Sequence, residues 1–139
     1  MTTHTERKYF DLHTRGIGYV NRLRTVTPKK GEPFLACTIA ALRGTTDQPE
    51  YTYIDVHVYN EKAVELLESC QDALSKKQKV LISFSVGDIY PECFIYKKGD
   101  KKDQSGCSIK GRLIKIITLK IDGHEFYREN AAENQSVDA

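Results

Sequence analysis

The segment 51–59 carries the side chains of this chain that are best suited to holding flat rings. Its odd positions bear aromatic or polar side chains, and its even positions bear β-branched ones. Because neighbouring side chains of a strand point to opposite faces, we expect an aliphatic face turned to a core and an aromatic face turned outward. Rings on an exposed strand can stack on unpaired nucleic-acid bases of any sequence. The candidate stacking residues are Tyr51, Tyr53, His57 and Tyr59, with Phe34 in the outward register of the preceding strand.

Two segments are rich in basic residues, although the formal net charge of the whole chain is only +2. Positions 15–30 hold five basic residues and no acid, and positions 97–115 hold seven basic residues against two acids. Cations that follow the phosphates are the second requirement of a surface for single-stranded nucleic acid. The basic candidates for such a surface are Arg22, Arg24, Lys29, Lys30, Lys97, Lys98, Lys101, Lys102, Lys110 and Arg112.

Each of these features also has an ordinary structural explanation. Tyrosine is favoured in strands for packing alone, so the tyrosine row can be a half-buried face. Lysine-rich loops are usually just solvated. Arg22 and Arg24 can be surface charge on an alternating strand, and His57 can be a packed strand residue. The binding interpretation is favoured because the rings and both basic segments map to one ligand groove of the fold that the strand order predicts.

Motifs for catalysis or cofactor binding are incomplete in this sequence. Gly16 and Gly18 begin like a dinucleotide-binding loop, but Asn21 stands where the third glycine belongs. His124 and Glu125 begin like a zinc-protease helix, but the second histidine is replaced by arginine. The four cysteines are scattered without a C-x-x-C pair, and we expect them to be reduced and mostly buried. We therefore expect no enzyme, no cofactor and no metal site.

Strands must position most of these candidates, because the hydrophobic residues alternate over much of the chain. Asn60 can cap a helix, and apolar residues at helical spacing follow it. The predicted strands are 17–27, 34–42, 51–59, 80–87 with a second piece at 93–96, 109–121 and a short closing strand at 125–127.

The order of these elements indicates the fold. Strands, one helix and then further strands are the order of the OB fold, in which two loops flank a ligand groove. We predict a mainly β, five-stranded Greek-key OB barrel with one helix between strands 3 and 4, although a mixed α+β sheet shares this order. The domain would span 15–128, between a flexible arm at 1–14 and a disordered tail at 129–139. The first ten residues contain no apolar segment, so we expect no secretory signal. No apolar run is long enough to span a membrane, so we expect a cytoplasmic protein.

Several motifs occur in the order found in a known family. The runs KKGEPFLACTIAALRG, YTYIDVHVYNEKAVELLESC and KKQKVLISFSVGDI resemble the bacterial single-stranded DNA-binding (SSB) proteins. With GCSIKGRL at 106–113, the combination is similar to a bacterial family of replication proteins of integrative conjugative elements. The resemblance covers roughly residues 16–127. Two features differ from typical SSB proteins, because the chain has no tryptophan and its end, SVDA, lacks the D-D-x-x-P-F motif.

The resemblance carries several expectations about function. It implies single-stranded DNA as the ligand, self-association as a dimer or tetramer, and a role in replication or transfer of a mobile element. Replication or conjugation proteins are further candidate partners. Matched residue by residue, it points to Tyr51 and Tyr53 on the aromatic strand and to Lys29 and Lys30 in the first loop.

Three hypotheses remain open from the sequence. The first is sequence-tolerant binding of single-stranded DNA by stacking on tyrosines and by phosphate contacts. The second is an OB-fold protein–protein interaction module, because interfaces are also enriched in aromatic residues and arginine. The third is an enzyme of another type, such as a metal-dependent nuclease that would use Asp55 and Asp88.

Overall fold

Strands make up most of the computed structural model, which describes residues 10–129. The elements in chain order are β1 (His13–Val26), β2 (Phe34–Gly44), β3 (Pro49–Val58), α1 (Glu61–Ser69), α2 (Gln71–Ser75), β4 (Val80–Ile95), β5 (Ser105–Ile121) and β6 (His124–Arg128).

Strands β1 to β5 close into a barrel. β1 pairs antiparallel with β2 and with β4, β2 pairs antiparallel with β3, and β4 pairs antiparallel with β5. A parallel pairing of β3 with β5, from Ile54 opposite Ile109 to Val58 opposite Leu113, completes the ring. β6 adds to β5 outside the ring. This strand order confirms the predicted five-stranded OB-fold barrel.

The core fills the barrel with side chains from alternating strand positions, as the sequence predicts. Along β2 and β3 the inward positions are aliphatic or cysteine, and along β4 they are aliphatic or phenylalanine. The inward residues of these strands are Leu35, Cys37, Ile39, Ile54, Val56, Val58, Val80, Ile82, Phe84 and Val86. Because every second residue is committed to this core, the residues between them face outward. On β2 three of these outward residues, Ala36, Thr38 and Ala40, are nevertheless buried.

Two short helices stand where one was predicted. Asn60 caps α1, since its side-chain oxygen accepts a hydrogen bond of 3.0 Å from the Ala63 N–H. The predicted single helix is interrupted at Cys70, whose N–H donates to the Leu67 carbonyl 3.0 Å away instead of continuing the α-helical pattern. The apolar stripe nevertheless continues, because Ala73 of α2 is buried in the same core.

The strand ends differ from the prediction at two places. β1 begins at His13, opposite Gly87, and so takes up the last residues of the predicted arm. β4 continues through Pro91 instead of ending there. The irregularity in its pairing with β5 lies earlier, between Gly87 and Tyr90, where Asp88 has a φ of 56°. Beyond Gly87 the pairing with β1 has ended, and a strand edge tolerates the missing N–H of proline.

The β4–β5 hairpin projects beyond the barrel. Every residue from Tyr90 to Ile95 is exposed, and the residues of β5 before Ile109 do not pair with β3. The arm and tail predicted at the two ends lie mostly outside the described residues. Within residues 10–129, neither helix has the length and apolar character that a membrane crossing requires.

Candidate nucleic-acid interface

One outward face of the barrel collects most of the aromatic candidates. It is formed by β2 and β3 with neighbouring positions of β1 and β5. Cross-strand register places Tyr19 next to Ala40 and Ala40 next to Tyr53, so a small residue separates the two rings. The rings on this surface, which we call the aromatic face, are Tyr19, Phe34, Tyr51, Tyr53, His57 and Tyr59.

Three tyrosines form one cluster at the start of β3. The ring centroid of Tyr51 is 6.5 Å from that of Tyr19 and 6.2 Å from that of Tyr53. Tyr51 is 41% exposed and Tyr53 is 59% exposed, so both side chains have solvent-accessible surface on which a base can stack. The three rings line a groove of about 450 Å³ together with Lys77 and Lys79. The Lys79 ammonium lies 6.0 Å from the Tyr19 ring centroid, which places a cation beside the stacking surface.

A second cluster lies at the end of β3. The rings of Phe34 and His57 are 4.0 Å apart between centroids and tilted by 33°. His57 Nδ1 is 3.1 Å from the Tyr59 hydroxyl, and the Arg112 guanidinium lies 5.9 Å from the Tyr59 ring centroid. The rings of Phe34 and Tyr59 thus both contact His57, which lies between them in this cluster.

The charge state of His57 suits stacking. Burial lowers the pKa of His57 below its ordinary value of 6.5, and the nearby charges of Lys110 and Arg24 lower this pKa further. The imidazole is therefore neutral at pH 7 and behaves as a flat ring. Burial is the main cause of this neutrality, and the basic residues that would attract phosphates add to it.

A polar step separates the two clusters. Thr38 Oγ1 donates a hydrogen bond of 2.6 Å to Asp55 Oδ1, and Lys110 Nζ is 4.0 Å from Asp55 Oδ2. The same ammonium is 3.5 Å from Glu92. Lys110 is thus shared between two carboxylates, so its positive charge is partly compensated by acidic side chains of the same chain.

Arg112 is also held by an acid. Its Nε donates a hydrogen bond of 2.7 Å to Asp88 Oδ2. The two acids considered for a nuclease are therefore each engaged by a cation, Asp55 by Lys110 and Asp88 by Arg112. Within residues 10–129, no group of three or more His, Cys, Asp or Glu side chains is arranged to hold a metal ion.

A bulge in β1 places the two candidate arginines differently. The register shifts between Asn21 and Arg24, and Arg22 adopts a positive φ of 50°. Arg22 lines the groove of the tyrosine cluster, whereas Arg24 pairs in register with Ala36 near His57. Arg24 also donates a hydrogen bond of 2.8 Å to the Arg22 carbonyl. The bulge therefore delivers one cation toward each aromatic cluster.

The two lysine-rich loops lie at opposite ends of the aromatic face. Lys29 and Lys30 are exposed between β1 and β2, where Val26 pairs with Phe34 beside the end of β3. Lys97, Lys98, Lys101 and Lys102 are exposed between β4 and β5. Because β5 runs parallel to β3 with Ile109 opposite Ile54, this second loop lies beyond the start of β3.

Three residues that line the groove of the tyrosine cluster are absent from the candidates predicted from the sequence. They are Tyr19 of β1, and Lys77 and Lys79, which precede β4. Tyr19 sits between Gly18 and the inward Val20, so the alternation of β1 could have identified it as an outward residue. The two lysines gave no signal of their own, because their position beside Tyr19 depends on the pairing of β1 with β4.

The fold and this face define an OB-fold protein with a candidate ligand surface of aromatic and basic side chains. The chain belongs to a family described as protein of unknown function (DUF3577), whose model matches residues 3–135. No curated protein and no solved structure matches the chain. The resemblance to the SSB proteins therefore stays a prediction.

Proposed function

We propose that the chain binds single-stranded DNA along the aromatic face, without strong sequence preference. The observation that supports this most is the grouping of six rings on one outward face of a closed barrel. Base stacking tolerates any sequence because every base has a flat face. A core alone would not require these rings to stand outside it.

Phosphate contacts would come from cations around the same face. Arg22, Lys77 and Lys79 border the tyrosine cluster, and Arg24 lies near His57. The lysine-rich loops at both ends would extend this row of phosphate contacts for single-stranded DNA that lies along β3. Phosphate contacts of this kind release counterions, so the affinity should fall as salt increases.

The experiment is a fluorescence anisotropy titration of a labelled oligo-dT. An oligonucleotide of about 30 nucleotides exceeds the site size of a single OB fold, and the matching duplex is the control. The chain has no tryptophan, so tyrosine emission can be followed in the same titration. We expect salt-dependent binding to the single strand, weaker binding to the duplex and quenching of tyrosine emission. Equal affinity for the duplex, or no binding at low salt, would contradict the proposal.

An interaction module is the second candidate function. Asp55 places an acidic group within the face, and Glu92, Phe94 and Ile95 are exposed on the adjoining hairpin. Exposed aromatic and apolar groups suit a protein interface, and carboxylates repel a phosphate backbone. A stoichiometric protein partner, combined with no oligonucleotide binding, would favour this alternative.

The wider role follows from the resemblance of the motifs to replication proteins of mobile elements. Replication or transfer of such an element would expose single-stranded DNA that a protein of this kind could cover. Self-association as a dimer or tetramer, contacts with replication or conjugation proteins, and the lack of catalysis stay predictions. Sedimentation with and without oligonucleotide would measure the oligomeric state.

A further inference from the structure

Two exposed thiols face each other on the β4–β5 hairpin. Cys93 and Cys107 are directly opposite in register, and their Sγ atoms are 3.8 Å apart. Cys37 and Cys70 are buried, whereas Cys93 and Cys107 are exposed. The expectation of mostly buried cysteines is therefore wrong for this pair, because the hairpin projects beyond the barrel.

We propose that Cys93 and Cys107 form a reversible cross-strand disulfide by exchange with a low-molecular-weight disulfide such as oxidised glutathione. The thiolate of one cysteine attacks a glutathione sulfur, so a mixed disulfide forms and one reduced glutathione leaves. The thiolate of the other cysteine then attacks the protein sulfur of the mixed disulfide, and the second glutathione leaves. Both protein thiols are thereby oxidised, and the glutathione disulfide is reduced to thiols that take up the protons.

The backbone geometry is compatible with this bond. Directly opposite residues of an antiparallel pair have Cα atoms about 4.5 or 5.5 Å apart, and disulfides span about 4.4–6.8 Å between Cα atoms. The Sγ atoms must approach from 3.8 Å to about 2.05 Å. Rotation about the Cα–Cβ bonds can supply this change, so the strands need not separate or slide.

Exposure makes the reaction selective for this pair. Burial raises the pKa of Cys37 to about 12 and also raises the pKa of Cys70, so these thiols stay protonated. The hydrogen bond with Cys93 raises the pKa of Cys107 as well. Because exchange requires a thiolate, the reaction of the exposed pair should accelerate as pH rises.

The thiol pair adjoins the aromatic face. Cys107 lines a groove on whose other side lie Tyr53 and Asp55. A disulfide would join β4 to β5 at Cys107, just before the part of β5 that pairs with β3. Formation of the disulfide does not depend on DNA binding, so the thiol chemistry and the proposed function can fail separately.

The test is an incubation of the native chain with oxidised and reduced glutathione at several ratios, quenched with iodoacetamide. Intact mass and peptide mapping then identify each cysteine. We expect the loss of both alkylatable thiols of the hairpin, a Cys93–Cys107 cross-linked peptide and recovery of both thiols with reductant. Cys37 and Cys70 should be alkylated only after unfolding.

Single substitutions provide matched controls. Cys93→Ser and Cys107→Ser should each give a mixed disulfide with glutathione on the remaining thiol and no internal cross-link. Glutathione adducts on both cysteines of the parent chain, cross-links between chains in place of the internal one, or free thiols at every ratio would overturn the proposal.

Discussion

Replacement of Tyr53 by alanine tests the stacking surface most directly. A tyrosine side chain offers roughly 200 Å² of surface, so the 59% exposure of Tyr53 corresponds to about 120 Å². A base stacked on one side covers about half of this area, and about 25 cal/mol per Å² then gives about 1.5 kcal/mol. We expect Tyr53→Ala to weaken oligo-dT binding roughly tenfold. Tyr51 is 41% exposed, so Tyr51→Ala should cost about 1 kcal/mol, or roughly fivefold.

The assay is the anisotropy titration at one fixed salt concentration, with thermal unfolding to confirm that each variant is folded. Phe126→Ala is the matched control, because Phe126 is 54% exposed but lies on β6 outside the barrel ring. Tyr53→Phe keeps the ring and should bind as the parent does. Equal weakening by Tyr53→Ala and Phe126→Ala, or no weakening by Tyr53→Ala in a folded variant, would refute the stacking geometry.

Three further predictions concern charge, pH and stability. Asp55→Asn removes a carboxylate that engages Lys110, so binding at low salt should tighten about twofold and the log–log salt slope should steepen by about 0.7. An unchanged slope in the same titration would contradict the idea that Asp55 withholds Lys110 from a phosphate. Burial lowers the pKa of His57 below 6.5 in the folded chain, so the unfolded chain takes up this proton first as pH falls. The free energy of unfolding should therefore decrease as pH drops from about 6.5 through the folded pKa, and His57→Gln should remove this component from urea titrations across that window. A resonance assigned to His57 that titrates above 6.5 in the folded chain would contradict the assignment. Asn60→Ala removes the cap hydrogen bond to the Ala63 N–H, so urea unfolding should show a loss of about 1 kcal/mol, and an unchanged midpoint would show that the cap contributes nothing.

Alternation of residue types was enough to predict most strands and much of their outer face, and the order of the elements then predicted the barrel. From position 51 to the end of β3 the even positions are β-branched and the odd positions aromatic or polar, so the inward and outward sets separate without knowledge of the neighbours. Tyr51, Tyr53, His57 and Tyr59 were assigned to one surface on this ground. The ring contacts of the structure join Tyr51 to Tyr53 and His57 to Tyr59, as two separate clusters on this surface.

Features that depend on pairing between distant segments could not be predicted. The bulge between Asn21 and Arg24 changes which side of β1 an arginine occupies, and only the register with β2 defines it. Lys79 reaches Tyr19 because β4 lies beside β1. Likewise, the sequence separates Cys93 from Cys107, and only the register of the hairpin brings their sulfur atoms together.

The parallel pairing of β3 with β5 has a consequence for how the chain folds. It joins Ile54 to Ile109, which lie far apart in sequence, with both helices and the whole of β4 between them. Contacts of such high sequence separation carry a large loop-closure entropy, and barrels that depend on them fold in about milliseconds to seconds rather than microseconds. Until β5 arrives, β3 has an unpaired edge directly beside its row of tyrosines, where another unfinished chain could pair. Closure of the ring therefore protects the chain from aggregation at the same strand that bears the aromatic face.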